Sequence, residues 1–374
     1  MRTPQMLLSF LTGAWLLSAC TPMAVQPALA QAPQDPRLVE VARFPHQVTG
    51  VTVTPQGRIF VNFPRWSEDA PVSVAEVLPG GVLRPYPDEG WNAWRNSRKD
   101  QMDAGRHWVC VQSVVADARG NVWVLDPAAP AQERIVPGGP KLVKIDAATN
   151  AIAQVIAFDD SIAPQGSYLN DVRFSPDGRH AYITDSGAPG ALVVVDLTNG
   201  RARRLLAKHP STQPEKDVQV KADGRVLRRP DGRGVEFAAD GIALSPDGAW
   251  LYWQAIKGRT LYRLPTSALH DAALPEAQLA ARVERVGENG PADGLWMDRQ
   301  GRMYISAVEE NAVKVRDGNR VTTLLQDPRL RWPDTFSQGP DGAIYVTSSR
   351  IQDMNSFKPG NPAALETTLF RFLP

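Results

Sequence analysis

The four-residue motif "SPDG" occurs twice in this sequence, at residues 175–178 within "LNDVRFSPDGRHAYITDSG" and at residues 245–248 within "ADGIALSPDGAWLYW". Each copy follows an alternating apolar run and precedes a second run rich in Tyr, Ile and Leu. Proline fixes φ at the first corner, aspartate bonds its own backbone, and glycine takes the positive φ that closes a tight hairpin. Each copy therefore predicts a strand, a turn and a second strand.

Variants of this strand-turn-strand unit occur six times along the chain. The turn glycines are Gly57, Gly120, Gly178, Gly248, Gly301 and Gly342. Intervals of 41 to 70 residues separate them, which fits a four-stranded blade with loops of uneven length. The repeat predicts an all-β fold, a six-bladed β-propeller that occupies residues 37–374 and leaves no room for a second domain.

The sixth unit contains only three strands of its own, the last of them in "TTLFRFLP" at the C-terminus. We predict that residues 37–44, "RLVEVARF", supply the fourth strand and close the ring. Pairing the N-terminal strand with the last blade removes the open edge that a linear array of sheets would leave. Helix is predicted only once, as a short segment within residues 266–283, "TSALHDAALPEAQLAARV".

The first 20 residues, "MRTPQMLLSFLTGAWLLSAC", have the character of a leader: one basic residue and a short apolar stretch before Cys20. Residues 17–20 resemble the lipobox of bacterial lipoproteins, in which the cysteine is lipidated. This favours a lipoprotein signal peptide over residues 1–20, a linker over residues 21–36, and an exported protein anchored in the cell envelope. The alternative is an ordinary secretory signal that is cleaved after Ala30 and releases a periplasmic or secreted protein.

Composition excludes two classes of function. From Cys20 onward the chain has 40 basic and 40 acidic residues, so it lacks the basic excess that nucleic-acid binding requires. Cys110 is the only other cysteine, which excludes a disulfide framework and a cysteine-based metal site. We expect a monomer that contacts a membrane only through its lipid.

Polar residues mark the points where the inner strands of the predicted blades begin. They are Asn170, Asp171, Asp240, Asp293 and Asp334. Because these starts meet at one mouth of the central channel, the side chains should converge there. Clustered carboxylates are costly unless a cation, a bound amine or raised pKa values compensate. The alternative interpretation is that they only cap backbone N–H groups at the strand starts.

The polar loop of residues 86–107 carries Trp91 and Trp94 and is long enough to fold over the channel mouth. An aromatic lid over an acidic ring would suit an amine or a cationic aromatic ligand through cation–π and carboxylate contacts. We therefore include both tryptophans among the candidate ligand-binding residues.

Several segments resemble the major royal jelly protein and Yellow family: "GRIFVNFPRW" (57–66), "YLNDVRF" and "AYITDSG" within residues 168–187, and "WPDTFSQGPDGAIYVTSSR" (332–350). The resemblance extends from about residue 38 to residue 372 and implies a six-bladed propeller. The family includes proteins that resemble dopachrome-converting enzymes, salivary binders of biogenic amines, and nutritive proteins. The resemblance alone therefore leaves the function open.

The inner-strand starts are also distantly similar to those of gluconolactonase and paraoxonase propellers, which hold calcium with Glu, Asn and Asp. That resemblance implies Asn170, Asp240 and Asp293 as the candidate Ca²⁺ ligands. The first inner strand, "GVTVTPQG", lacks the corresponding glutamate.

Two hypotheses from different functional classes follow. The first is a binding protein for a small amine, aromatic or similar molecule at the acidic mouth. The second is an enzyme at the same site, either a metal-dependent lactonase or hydrolase, or a dopachrome-type tautomerase. The sequence contains no nucleophile elbow, H-E-x-x-H or Walker motif, so no catalytic residue is assigned.

We predict that Cys20 is lipidated in the native protein. Mass spectrometry of the mature N-terminus should show a lipid-modified Cys20, and Cys20→Ala should move the protein out of the membrane fraction. An unmodified N-terminus at Gln31 would instead establish cleavage after Ala30.

Overall fold

The computed structural model describes Met1 and residues 33–374, and in this part of the chain six four-stranded antiparallel sheets form six blades. The rest of the predicted signal peptide and most of the linker, Cys20 included, lie outside the described residues. The strands of each blade are lettered A to D, and the A strands of successive blades are neighbours around the ring. The predicted six-bladed propeller is confirmed.

The blades follow one another in chain order. Blade 1 consists of Val51–Val53, Ile59–Asn62, Val74–Val77 and Leu83–Pro85. Blade 2 consists of Ser113–Ala116, Val122–Asp126, Lys141–Asp146 and Ala151–Ala157. Blade 3 consists of Leu169–Phe174, His180–Asp185, Ala191–Asp196 and Ala202–Leu205.

The second half of the ring has the same organisation. Blade 4 consists of Ala239–Leu244, Trp250–Ala255, Thr260–Pro265 and Glu284–Glu288. Blade 5 consists of Ala292–Met297, Met303–Ala307, Ala312–Asp317 and Arg320–Gln326. Blade 6 takes strands A to C from Pro333–Gln338, Ile344–Ser348 and Thr367–Phe372, and strand D from Val39–Phe44.

Burial decreases from the inner strands to the outer ones. Every residue of the B strands Val122–Asp126 and Ile344–Ser348 is buried, whereas the D strand Ala151–Ala157 is mostly exposed or half-buried. B strands lie between neighbouring sheets, which explains why they are rich in β-branched and aromatic residues. The hydrophobic core therefore lies between the blades.

The A–B turns have the geometry that the repeated motif predicts. All six turn glycines have φ between 71° and 85°. In the two SPDG copies the serine hydroxyl donates to the aspartate carboxylate at 2.5 Å, from Ser175 to Asp177 and from Ser245 to Asp247. These two carboxylates are thus occupied within their own turns.

The ring closes as predicted. Val39–Phe44 pairs antiparallel with Thr367–Phe372, with Phe44 opposite Thr367. The backbone N–H of Val48 donates to the Thr367 hydroxyl at 3.0 Å, and the Arg329 guanidinium donates to the carbonyl of Leu38 at 3.1 Å. Both termini of the described ring are therefore held by blade 6.

The single predicted helix is two helices, Thr266–His270 and Glu276–Ala280, between strands C and D of blade 4. Pro275 precedes the second helix, and a proline cannot donate the hydrogen bond that would continue the first.

No helix in the described residues is long and apolar enough to cross a membrane. The remaining helical segments are short 3₁₀ segments: Pro79–Gly81, Asn96–Gln101, Ala104–Arg106, Pro130–Gln132, Pro210–Thr212 and Ile351–Asp353. The connection from blade 3 to blade 4 contains a small hairpin of Lys221–Ala222 and Arg225–Val226.

Deleting residues 37–44 should destabilise the whole propeller by about 5 kcal/mol, since it opens blade 6 and removes the buried side chains of Leu38 and Phe44. Thermal and urea unfolding would measure the change. Val39→Ala, in the same strand but half exposed, is the control and should shift stability by less than about 0.5 kcal/mol. Identical unfolding curves for the full ring and a protein starting at Pro45 would contradict the assigned closure.

Candidate functional site

One position at or just before the start of strand A carries a polar side chain in every blade. It lies two residues before the apolar residue that pairs with the middle of strand B, for example Val172 opposite Ile183 and Leu295 opposite Ile305. The six residues at this position are Thr49, Gln112, Asn170, Asp240, Asp293 and Asp334. We call them the acidic ring; all except Thr49 line one cavity.

The backbone explains why these side chains converge. Strands A and B change register at this position in blades 3 to 6, and such bulges re-aim side chains. A Cβ on Gly241 would lie 2.2 Å from the carbonyl oxygen of Asp293, and one on Gly294 would lie 1.9 Å from that of Asp334. Only glycine allows this approach, so blades 4 to 6 bring their ring residues close together.

The ring carboxyls are buried and receive only neutral donors. Asp240, Asp293 and Asp334 are at most 6% exposed. Asp240 accepts from the Asn170 amide at 2.6 Å, and Asp293 accepts from the Trp332 indole at 2.7 Å. Among the described residues, no lysine or arginine pairs with these three carboxyls. Their charge is therefore uncompensated by the protein.

The pKa values of the three carboxyls respond accordingly. Burial, reinforced by neighbouring carboxylates, raises the pKa of Asp240 and that of Asp334 well above the usual range. Burial also raises the pKa of Asp293 to about 6, although the hydrogen bond from Trp332 opposes the shift. The ring consequently keeps protons at pH values where surface carboxyls have lost theirs.

Asp171 follows Asn170 along strand A and lies outside the cavity wall. Its nearest charged partner is Arg173, with the guanidinium 3.7 Å from the carboxylate. Burial raises the pKa of Asp171, and Arg173 opposes the shift. Of the five inner-strand candidates, four thus share one cavity and Asp171 adds to its negative field from the side.

The cavity is small and has an aromatic wall opposite the ring. Its volume is about 10 Å³, room for about one water molecule. The wall includes Trp66, Tyr168 and Phe237. The Trp66 indole donates to the Tyr168 hydroxyl at 2.6 Å, and that hydroxyl donates to the side-chain amide oxygen of Gln112 at 3.0 Å. Gln112, Trp66 and Tyr168 were not among the candidates from sequence.

The structure places Trp91 and Trp94 away from this cavity, so the predicted lid is wrong. Trp94 is fully buried in a separate cluster, and its indole donates to Asn96 at 3.0 Å. Trp91 packs on Trp108 with ring centroids 4.4 Å apart. Both indoles bury their apolar area beneath the loop of residues 86–107, which stabilises that loop.

The candidate calcium ligands implied by the distant resemblance have the right chemistry for Ca²⁺, but their side chains are not arranged as a Ca²⁺ site. Asn170, Asp240 and Asp293 offer the oxygen donors that Ca²⁺ prefers. However, the Asn170 amide nitrogen faces Asp240, and the Trp332 indole occupies one oxygen of Asp293. Within residues 33–374, no three His, Cys, Asp or Glu side chains are arranged to hold a metal ion. The ring is thus a hydrogen-bonded network of side chains and differs from a ready-made metal site.

One curated relative and several solved structures are similar to this chain. The 6-deoxy-6-sulfogluconolactonase of Pseudomonas putida is 28% identical over 165 residues, covering 41% of this chain and 47% of that enzyme. The chain therefore spans about half the length of the curated relative it matches. The calcium-binding protein regucalcin from Agrobacterium tumefaciens superposes with a TM-score of 0.51 at 15% identity, covering 89% of this chain and 93% of regucalcin.

A gluconolactonase from Xanthomonas campestris gives a TM-score of 0.50 at 14% identity, with 94% of this chain and 99% of that one covered. Identities this low establish the fold alone. The family model described as Major royal jelly protein matches residues 109–360, about two thirds of the chain. The match spans blades 2 to 5 and the first two strands of blade 6, and the six-bladed ring agrees with the fold that the resemblance implied. The chain belongs to the major royal jelly protein family.

Proposed function

We propose that this chain is an exported small-molecule-binding propeller whose acidic ring receives the ammonium group of an amine. The observation that carries the proposal is the set of three buried carboxyls, Asp240, Asp293 and Asp334, that face one cavity without a cationic partner among the described residues. Elsewhere the fold neutralises buried carboxylates: Lys141 lies 2.9 Å from Asp126. A ligand cation would supply the missing charge.

The size and chemistry of the cavity support an ammonium group. Such a group is about as large as a water molecule and carries three N–H donors, as a lysine ammonium does. Its binding would displace protons from the ring and relieve the repulsion between carboxylates. The remainder of the ligand would extend through the wall beside Trp66 and Phe237, where aromatic faces favour a cationic or aromatic molecule. Because the cavity itself holds only about one water molecule, its wall must open to admit the remainder of the ligand.

The second candidate function is a lactonase or related hydrolase. Ca²⁺ could serve as its metal only if the hydrogen-bonded ring residues Asn170, Asp240 and Asp293 rearranged. This candidate is favoured by the 28% sequence identity to 6-deoxy-6-sulfogluconolactonase over 165 residues. A buried carboxyl such as Asp293, with a pKa of about 6, is suited to proton transfer near neutral pH. A tautomerase would use the same carboxyl in the same way.

Asp240→Asn and Asp293→Asn should each weaken amine binding at least tenfold, because each removes a carboxyl that can ionise to pair with the ammonium group in an enclosed site where Coulomb interactions are poorly screened. Calorimetric titration of dopamine and tryptamine would measure this. Asp247→Asn, an equal change of charge in an exposed A–B turn, is the control and should leave affinity unchanged.

Unchanged amine affinity in both ring variants would contradict the proposed site, because asparagine caps a strand about as well as aspartate. The same titrations with Ca²⁺ and gluconolactone separate the two functions. Tight Ca²⁺ binding together with lactone hydrolysis that a chelator abolishes would establish the second candidate instead.

The raised pKa of Asp293 also predicts a pH dependence of stability. The folded protein holds the proton of the Asp293 carboxyl more tightly than the unfolded chain does. The contribution of this protonated carboxyl to the free energy of unfolding is therefore fully present below pH about 4 and is lost as pH rises through about 6. Relative to Asp293→Asn, the wild type should lose up to about 3 kcal/mol of unfolding free energy between pH 4 and 7. Urea unfolding across this range would measure the difference.

Asp247→Asn provides a control of opposite sign. The Ser245 hydroxyl lowers the pKa of Asp247 below its usual value of about 3.8, so the wild type should gain stability relative to this variant as pH rises to about 4 and should then change little up to pH 7. A constant difference between wild type and Asp293→Asn across the range would show that Asp293 titrates normally.

A further inference from the structure

The opposite end of the channel, where the six A–B turns lie, contains a second and larger cavity. Its volume is about 400 Å³, and its wall includes turn residues of blades 2, 3 and 4. This volume lies within the range of small-molecule sites, about 300 to 1,000 Å³. We call it the turn cavity.

The wall of the turn cavity is predominantly cationic. Arg119, Lys144, Arg173 and Arg299 line it, against a single acidic residue, Asp117. The Asp117 carboxylate accepts hydrogen bonds from Asn121 and from Trp123. In the described part of the chain, Arg119, Lys144 and Arg299 make no ion pair. This concentration of positive charge contrasts with the balanced charge of the whole chain.

Arg173 lies at the bottom of this cavity and spans the channel. Its side chain is only 13% exposed, and its guanidinium donates to the carbonyls of Val172 in blade 3 and Leu295 in blade 5 at 2.8 and 2.7 Å. Its Nε–H is buried and has no partner among the described residues. Asp171 at 3.7 Å is its nearest carboxylate. Arg173 therefore separates the acidic ring from the turn cavity and retains an unused donor.

Apolar and aromatic surface completes the wall. Phe174, Trp296 and Phe336 contribute to it. Trp123 packs on Phe174 with centroids 4.9 Å apart, and the Lys144 ammonium lies 5.5 Å from the Trp123 ring centroid. Cationic side chains thus lie beside flat aromatic side chains within one cavity.

We propose that the turn cavity binds a small organic anion, a carboxylate carried on a flat apolar group. The arginines match a carboxylate because guanidinium and carboxylate form paired hydrogen bonds. The aromatic side chains match the flat group, since stacked rings add to the free energy of burial. This site is separate from the amine site proposed above and does not depend on it.

Calorimetric titration of indole-3-acetate, with indole-3-acetamide as its uncharged counterpart, tests the proposal on the whole protein. The carboxylate should bind at least tenfold more tightly than the amide. Arg119→Gln combined with Arg299→Gln should weaken carboxylate binding about tenfold and leave the amide unaffected. Both arginines are exposed and unpaired in the described structure, so the variant should fold normally, which circular dichroism would verify.

Arg282→Gln combined with Arg320→Gln removes the same charge from exposed positions outside this cavity and should change carboxylate affinity less than twofold. Asp240→Asn should likewise leave it unchanged, which distinguishes this site from the acidic ring. The proposal is overturned by equal affinity for acid and amide, by no binding of the acid, or by equal losses in the two double variants.

Discussion

The close approach of inner strands at the propeller axis is the constraint on which the site depends. Where Gly241 and Gly294 lie against the carbonyls of the next blade, no side chain can intervene. The residues immediately before them, Asp240 and Asp293, therefore have nowhere to point except into the shared space at the axis. The same packing that brings the blades together also concentrates the carboxyls.

That concentration has an energetic cost that the fold does not offset locally. Removing a carboxylate from water is expensive unless a partner compensates, and the protein provides such partners elsewhere, as Arg204 does for Asp185 at 2.5 Å. At the acidic ring it provides amide, indole and hydroxyl donors instead. Ionisation of this cluster therefore lowers the stability of the folded protein.

The sequence was sufficient for the architecture because the architecture is local and repeated. Each strand-turn-strand unit can be recognised within about 15 residues, and the number of copies, six, equals the number of blades. Four ring residues were found because charged or amide side chains interrupt apolar strands. Gln112 was not predicted because it is an uncharged residue outside the alternating apolar strand; its spacing, two residues before Val114, matches that of the other ring residues.

The cavity wall could not be predicted in this way. Trp66 and Tyr168 are 102 residues apart, and their hydrogen bond depends on how blades 1 to 3 pack rather than on any local pattern. The lid predicted from Trp91 and Trp94 was wrong because here a local pattern suggested a role that the packing does not support. A polar loop containing two tryptophans suggests a lid, yet burial of their large apolar area beneath the loop, against residues such as Trp108 and Val109, is more favourable.

The closure of blade 6 also determines when this protein can acquire its structure. Val39–Phe44 is the first strand of the described ring to be synthesised and Thr367–Phe372 is the last, so blade 6 stays open until residue 372 has been made. Until then the first strand offers an unpaired edge to any other extended chain. Contacts so distant in sequence also form slowly. The protein is therefore most prone to pairing with other chains in the interval between the synthesis of Val39–Phe44 and that of Thr367–Phe372.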